Sequence, residues 1–427
     1  MSRIRTLQDV VEWGLCIGCG ACFSVCENKA ITLVHDDSIG VRPRFTTEGC
    51  ADCTDCLSFC PGFRLASEEG WKAGDRRGEE ETLIGPSLEI REGHAADEEI
   101  RFRASSGGIL SALSIYCLEK GGMRFVLHTG MDPERPWRNT TVVSRTREDA
   151  LSHAGSRYAP SSPCDSLRRI EDSDGPCVFI GKPCDAAAVM ALRKERPRLD
   201  RNLGLVLTFF CAGTPCSQAT IDLVKTMRID PSEAEEIRFR GNGWPGTFSV
   251  RGGGTSGSKD MEYADSWGYL ARQHRSFRCH LCPDGLGEIA DISSGDAWHR
   301  YAADGNPGES IVLVRTGCGR EILRKAAAAG YLDLWPSTAE KVVAAQGLVV
   351  RRSEVFGRML AMRLFFVPVP DFRGFHLFGS WIRSTPWDMA RTVLGTARRI
   401  LTRGLWRRNP VPAGGDAVGG SVRSATP

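Results

Sequence analysis

Hydrophobic and polar positions along the middle of the chain repeat with two periods. Short apolar runs at Met123–Thr129, Thr140–Ser144, Cys177–Ile180 and Leu203–Phe210 have the length and bounding turns of buried strands. Ile109–Glu119, Asp185–Arg196 and Ser217–Met227 space their apolar residues as helices do. Two more strands are expected at Ile237–Arg240 and Thr247–Arg251, then a strand–helix pair at Ser310–Arg315 and Gly319–Ala329. Alternation of this kind predicts an α/β layer structure with a substantially parallel sheet. The stretch Glu68–Asp97 is rich in Gly, Glu and Arg with little periodicity, and reads as a connector.

The end of the chain has a different pattern. Over Pro386–Trp406, Ala390, Val393, Leu394, Ala397, Ile400 and Leu401 share one helical face. Arg391, Arg398, Arg399 and Arg403 cluster on the other, and Arg407 and Arg408 close the segment. Such a helix either packs on its own domain with a solvated basic face or docks on an anionic membrane surface or a partner. Beyond Asn409 the composition is that of a disordered tail.

Composition narrows the class. At 427 residues the chain has room for two or three domains, and its 41% hydrophobic content supports a real core. Lys+Arg 55 against Asp+Glu 52 argues against a dedicated nucleic-acid binder. No window approaches 18 consecutive apolar residues and no signal peptide is evident, so a cytoplasmic protein with reduced thiols is expected. The 17 cysteines then call for metal, redox chemistry or core packing, and eight of them lie in the first 60 residues.

Cys16, Cys19, Cys22 and Cys26 read C-x-x-C-x-x-C-x-x-x-C, and Cys50, Cys53, Cys56 and Cys60 repeat that spacing, followed by Pro61. This is the pattern of bacterial two-cluster ferredoxins, in which the fourth cysteine of each run crosses to the other cubane. Cys16, Cys19, Cys22 and Cys60 are therefore expected to hold one [4Fe–4S] cluster, and Cys50, Cys53, Cys56 and Cys26 the other. Zinc is the alternative, but it favours paired C-x-x-C knuckles over triplets. Glu27 stands where proline commonly follows the fourth cysteine.

The body adds weaker signals. Arg103-Ala104-Ser105-Ser106-Gly107-Gly108 precedes a helix, and hydroxyls with glycines at a helix N-terminus suit a phosphate as well as an ordinary capped turn. Gly155-Ser156-Arg157-Tyr158 is similar. No G-x-G-x-x-G follows a strand and no P-loop occurs. Cys184, Cys211, Cys279 and Cys282 come from three segments, the first two at strand ends where α/β sheets place ligands. They suit a further cubane or a structural zinc, with His280 or Cys216 as substitute ligands. Cys117, Cys164, Cys177 and Cys318 read as inert thiols. Asp291, Asp296, His280 and His299 lie near the C-x-x-C and are proton-transfer candidates, a structural role being the simpler reading for each.

Taken in order, Ser105–Ile109, Gly155–Tyr158, Gly181-Lys182-Pro183-Cys184, Cys211, Cys279-x-x-Cys282 and Gly295-Asp296-Ala297-Trp298 resemble the coenzyme F420 hydrogenase/dehydrogenase beta-subunit family, which includes 7-hydroxymethyl chlorophyll a reductase. The resemblance implies FAD in the α/β body, with Ser105, Ser106, Gly107, Gly108, Ile109, Gly155, Ser156, Arg157, Tyr158 and Gly181 toward the flavin. It implies a third cluster on Cys184, Cys211, Cys279 and Cys282. Lys182 departs from the commoner Gly-Thr-Pro-Cys of relatives; beside a flavin it would stabilise an anionic reduced ring or a substrate carboxylate, and otherwise it pairs with Asp185. The expected organisation is α/β (α+β overall): a ferredoxin-like domain (1–67), a connector (68–99), a flavin-binding part (100–200), a second part with the C-x-x-C (201–370), a basic amphipathic segment (371–408) and a tail (409–427). The expected function is a flavin and iron–sulfur oxidoreductase that exchanges electrons with F420, a ferredoxin or another redox partner protein. The alternatives are a ferredoxin-dependent reductase of a small organic substrate and an electron-transfer subunit with no substrate of its own.

Overall fold

The computed structural model describes residues 4–46, 53–67, 78–252, 257–272, 275–301, 305–411 and 414–418. Its N-terminal unit begins with the helix Leu7–Glu12, opened by a reciprocal Thr6–Asp9 capping box. An antiparallel hairpin follows, β1 (Ile31–Asp36) and β2 (Gly40–Phe45), in register from Ile31 opposite Phe45 to Asp36 opposite Gly40. The cysteine loop lies directly on this hairpin. Gly18 has φ of 74°, and a β-carbon there would sit 2.6 Å from the Val41 carbonyl oxygen, so only glycine lets the loop settle.

The body is one mixed sheet of eight strands. Its members in chain order include β4 (Glu89–Ala95), β5 (Val126–Met131), β6 (Asn139–Ser144), β7 (Cys177–Gly181) and β8 (Leu203–Phe209), β3 being the short Arg64–Ala66 outside it. After a separate antiparallel sheet of β9 (Ala234–Arg238), β10 (Thr247–Gly252) and β11 (Lys259–Glu262), β12 (Ile292–Asp296), β13 (Ser310–Val314) and β14 (Leu332–Pro336) complete it. The spatial order is β14-β4-β13-β12-β8-β7-β5-β6. The centre, β12-β8-β7-β5, is parallel, and the strands outside it pair antiparallel. Helix α1 (Ile109–Glu119) covers one face with Ile109, Leu113 and Ile115, while α2 (Pro183–Arg193) and Leu199 cover the other. α3 (Ser217–Thr226) packs on the smaller sheet.

Two expectations change here. Glu89–Ala95, inside the stretch that reads as a connector, is a strand paired on both sides. Its charges hide it: Glu92 is buried, and its carboxylate is met by Arg300, Ser337, His299 and Lys341, all far along the chain. The tail, expected to be disordered, includes β16 (Asp416–Val418), which adds antiparallel to β1; β15 (Asp371–Arg373) pairs with β3. Asp416 is paired with Arg135 and with Arg138 (2.7 Å). Residues 419–427 lie outside the described residues.

The C-terminal helices α4 (Val350–Leu364), α5 (Leu377–Ile382) and α6 (Pro386–Thr402) pack together and against the N-terminal unit, with Met362, Val367 and Ile400 meeting Ile4, Leu7, Leu15 and Phe277. α6 turns Thr392, Thr396 and Ile400 inward, not the face centred on Leu394 and Leu401. A β-carbon at Gly357 would collide with Thr392 Oγ1, which is why α4 and α6 can cross so closely.

The N-terminal unit is tied to the body through His35, buried and 2.9 Å from Ser217 Oγ on α3. Burial, helped by Arg138, pushes its imidazole down to about 4. Unfolded, the ring takes a proton near 6.5, so the native state loses stability as pH falls from about 6.5 to about 4. His35 alone is expected to cost about 2 kcal/mol between pH 7 and pH 5. Denaturant midpoints at the two pH values should shift less in His35→Gln than in the wild type, and equal shifts would contradict this.

Candidate functional site

A cavity of about 580 Å³ opens at the C-terminal ends of the parallel strands, within the size range of ligand pockets, roughly 300–1,000 Å³. One end is the α1 N-terminus. Gly108 caps it in a left-handed conformation without offering a side-chain acceptor, so the first turn, whose Ile109, Leu110 and Ser111 border the cavity, carries no side-chain cap. Ser105 Oγ accepts the Ser156 N–H at 2.7 Å, which fastens the two loops together. Arg157 is anchored by Asn139 Oδ1 (2.6 Å) and by the carbonyls of Pro136 (2.7 Å) and Ile237 (2.9 Å). Of the residues expected here, Ser105, Ser106, Gly108, Ile109 and Gly155–Tyr158 border the cavity. Gly107 and Gly181 are packing glycines instead. A β-carbon at Gly107 would meet the Gly93 carbonyl oxygen at 2.8 Å, and one at Gly181 would meet Asp185 Cβ at 2.7 Å.

The opposite wall is not visible as a unit in the sequence. Arg240, 2% exposed, grips Asp296 with both terminal nitrogens (2.8 and 2.5 Å), and Trp244 Nε1 donates to the same carboxylate at 2.7 Å. The guanidinium lies over the Tyr263 ring (4.6 Å) and the Trp298 ring (5.2 Å), which stack on each other. Such a wall offers flat π surface backed by a neutralised charge. Gly295-Asp296-Ala297-Trp298 is the visible half of this signal; Arg240 comes from beyond the other sheet's β9. His128, whose ring burial pushes down to about 3, borders the cavity as a neutral group.

Lys182 stands between this cavity and a smaller one. As the N-cap residue of α2 it gives its N–H to Asp185 Oδ2 (2.9 Å), and its ammonium meets the same oxygen (2.7 Å) and Ser161 Oγ (2.8 Å). Burial would pull its pKa down, but the Asp185 charge outweighs that and holds it above the usual lysine value. The expected pairing with Asp185 is present, and the side chain still borders the cavity.

The smaller cavity, about 60 Å³, is lined by Cys184, Cys211, Cys279 and Cys282, and also by Cys16 of the N-terminal unit. The first turn of α2, the loop after β8, and the short helix Phe277–His280 with the loop that follows it supply the four. The Gly213 N–H points at Cys211 Sγ (3.4 Å). Burial pushes the Cys211 thiol up to about 12 and raises Cys184 and Cys282, so these groups ionise at neutral pH only against a metal. Among the described residues, no three ligand-type side chains converge as they would on a single ion. His280 is pushed down to about 3 by burial and by Arg399, Arg275, Arg358 and Arg351. Of these, Arg358 donates to the His280 carbonyl and Arg275 to that of Ala212 (2.9 Å).

In the N-terminal unit the thiols of Cys16, Cys19, Cys22 and Cys60 are neighbours. Burial first and their mutual repulsion second raise Cys22 and Cys60. The Gly18 N–H points at Cys16 Sγ (3.4 Å) and the Ala30 N–H at Cys26 Sγ (3.3 Å), the contacts that steady a ligating sulfur. Cys53 and Cys56 are half-buried nearby, and Cys50 lies outside the described residues. Cys164, an inert thiol by its sequence, has a specific place: its N–H bonds the Cys19 carbonyl (3.0 Å) and its thiol reaches both Cys19 Sγ and the Asp185 carbonyl (3.6 Å). Buried Arg278, next to Cys279, donates to the carbonyls of Pro61 (2.7 Å) and Gly62 (2.9 Å), beside Cys60.

Comparison with known proteins matches three regions. Residues 90–168 and 176–340 match the sequence models for the coenzyme F420 hydrogenase/dehydrogenase beta subunit, N-term and C terminus, and residues 15–62 match a 4Fe-4S dicluster domain. The coenzyme F420 hydrogenase subunit beta of Methanosarcina barkeri is 26% identical over 267 residues, 60% of this chain and 84% of that one. The F420-dependent formate dehydrogenase 1 subunit beta of Methanococcus maripaludis is 26% identical, covering 56% of this chain and 59% of its own. The coenzyme F420-dependent sulfite reductase of Methanocaldococcus jannaschii is 24% identical over 74% of this chain and 46% of its own. A structure of the F420-reducing [NiFe] hydrogenase complex from Methanosarcina barkeri contains a chain that is 25% identical, with a TM-score of 0.47, covering 60% of this chain and 84% of that one.

Proposed function

Because the chain belongs to the coenzyme F420 hydrogenase/dehydrogenase beta-subunit family and carries a 4Fe-4S ferredoxin-like unit, we propose that it converts between two-electron and one-electron transfer, with FAD in the main cavity and three [4Fe–4S] clusters. The observation that carries this reading is a shared wall. Lys182, Cys211, Gly213, Thr214 and Arg351 border both cavities, and Cys16 borders the smaller one from the ferredoxin side. FAD, when bound, would accept a hydride as an electron pair and part with single electrons, which is what clusters can take.

The residues present fit that assignment. The uncapped first turn of α1 suits a diphosphate, the Arg240–Tyr263–Trp298 wall suits a flat ring, and Ser105 with Ser156 fixes the loop between them. Cys184, Cys211, Cys279 and Cys282 would hold the third cluster. A cubane with four thiolates is an anion, and Arg275, Arg351, Arg358 and Arg399 oppose that charge from one side. Lys182, paired with Asp185, keeps its proton at the junction. The names of the relatives support coenzyme F420 as the two-electron carrier and a place among other subunits.

Acid release of the bound chromophore after anaerobic purification should yield about one FAD per chain, alongside iron and labile sulfide for about three cubanes. A colourless, zinc-containing protein would overturn the reading.

A further inference from the structure

Beyond the residues matched by the family models, the chain presents a surface that the electron route does not use. Thirteen large hydrophobic side chains are exposed among the described residues, and eight of them fall within residues 364–406. They are therefore concentrated, not scattered as isolated surface apolar groups would be. On α6, Trp387, Leu394 and Leu401 are seven residues apart and 76%, 68% and 59% exposed, so they form one stripe along the outer face. On α5, Phe378 and Ile382 are one turn apart and also exposed, and Trp406 follows α6.

Cations are interleaved with these groups. Residues 361–408 contain nine arginines and two aspartates. Asp371 is taken by Arg373 and Arg64, and Asp388 by Arg391. Arg398 lies between Leu394 and Leu401, Arg403 follows the helix, and Arg407 stacks on the Trp406 ring at 4.0 Å. Bulky apolar groups with tryptophans at both ends and arginines between them are what a headgroup boundary selects: the apolar side chains enter the acyl region while the guanidiniums stay among phosphates.

We propose that α5 and α6 dock this protein peripherally on an anionic lipid surface. The apolar groups are spread over two helices and the following loop and separated by positive charge, a match to a fluid, negatively charged plane. Docking leaves the inward face of α6 undisturbed. That face carries Arg399, which bears on His280 in the Cys279–Cys282 segment, so the third thiol site would lie behind the docked helix.

The test is flotation of the anaerobically purified holoprotein with vesicles of phosphatidylcholine, with and without phosphatidylglycerol. The expected result is co-flotation with the phosphatidylglycerol vesicles and at least about tenfold less with phosphatidylcholine alone, the difference shrinking in high salt. Leu394→Glu/Leu401→Glu should abolish flotation while iron, flavin and thermal midpoint stay at wild-type values, and Arg398→Gln/Arg403→Gln should weaken it on anionic vesicles only. Wild-type protein that ignores both vesicle types overturns the proposal. So does a double glutamate variant that floats normally, or one whose only defect is loss of a co-purifying protein, which would assign the face to a partner subunit.

Discussion

Cys211→Ala is expected to lose about 4 of about 12 iron atoms per chain while keeping its flavin. Cys211 is where the two cavities meet: just past the end of β8, it borders both, and Cys184, Cys279 and Cys282 line the smaller one with it. Removing one thiolate of four leaves the site open, and burial drives Cys184 and Cys282 back toward the protonated thiol. Electrons delivered to the flavin should then no longer reach the N-terminal clusters. Metal analysis gives the first answer. Loss of one zinc with no loss of iron would show that the third site is structural.

The second large effect concerns stability. Asp185→Ala is expected to cost about 3–5 kcal/mol, because the Lys182 ammonium would be left charged in the interior with Ser161 as its main partner. The substitution also removes the cap on the Lys182 N–H at the start of α2. Lys182→Met combined with Asp185→Ala should recover much of the loss, since the stranded charge is gone. Chemical denaturation of wild type and both variants tests this, and a single-variant cost under about 1 kcal/mol would mean that the pair is not buried as described.

Much of this is legible in the sequence because it rests on local spacing. The cysteine triplets need only their two-residue gaps, and β7, β8 and α1 announce themselves as continuous apolar or helical patterns. What stays hidden depends on partners distant in sequence. β4 carries Glu92, acceptable inside the sheet because Arg300 and Ser337 reach it. β12 reads Ile-Ser-Ser-Gly-Asp, too polar for a core strand until Ser294 is seen donating to Ile311 and Asp296 held by Arg240. Gly107 and Gly181 look like cofactor glycines along the chain, but their missing side chains serve close packing. Cys164 looks like a small hydrophobe since nothing in its neighbourhood along the chain reveals Cys19. The inward face of α6 is largely hidden too, because periodicity names a stripe without saying which side is covered, and of that stripe only Ile400 is buried, beside Thr392 and Thr396.

The proposed function rests on a single connection, from a two-electron carrier through the main cavity to the thiol-lined cavity and the ferredoxin-like unit. Its most direct test is an anaerobic titration of the purified protein with reduced F420, following flavin and cluster absorbance together. Both are expected to bleach, the clusters following the flavin, and Cys211→Ala is expected to bleach at the flavin alone. Bleaching by reduced ferredoxin but not by reduced F420 would contradict the assignment of the carrier. Cluster bleaching in Cys211→Ala at the wild-type rate would contradict the route itself.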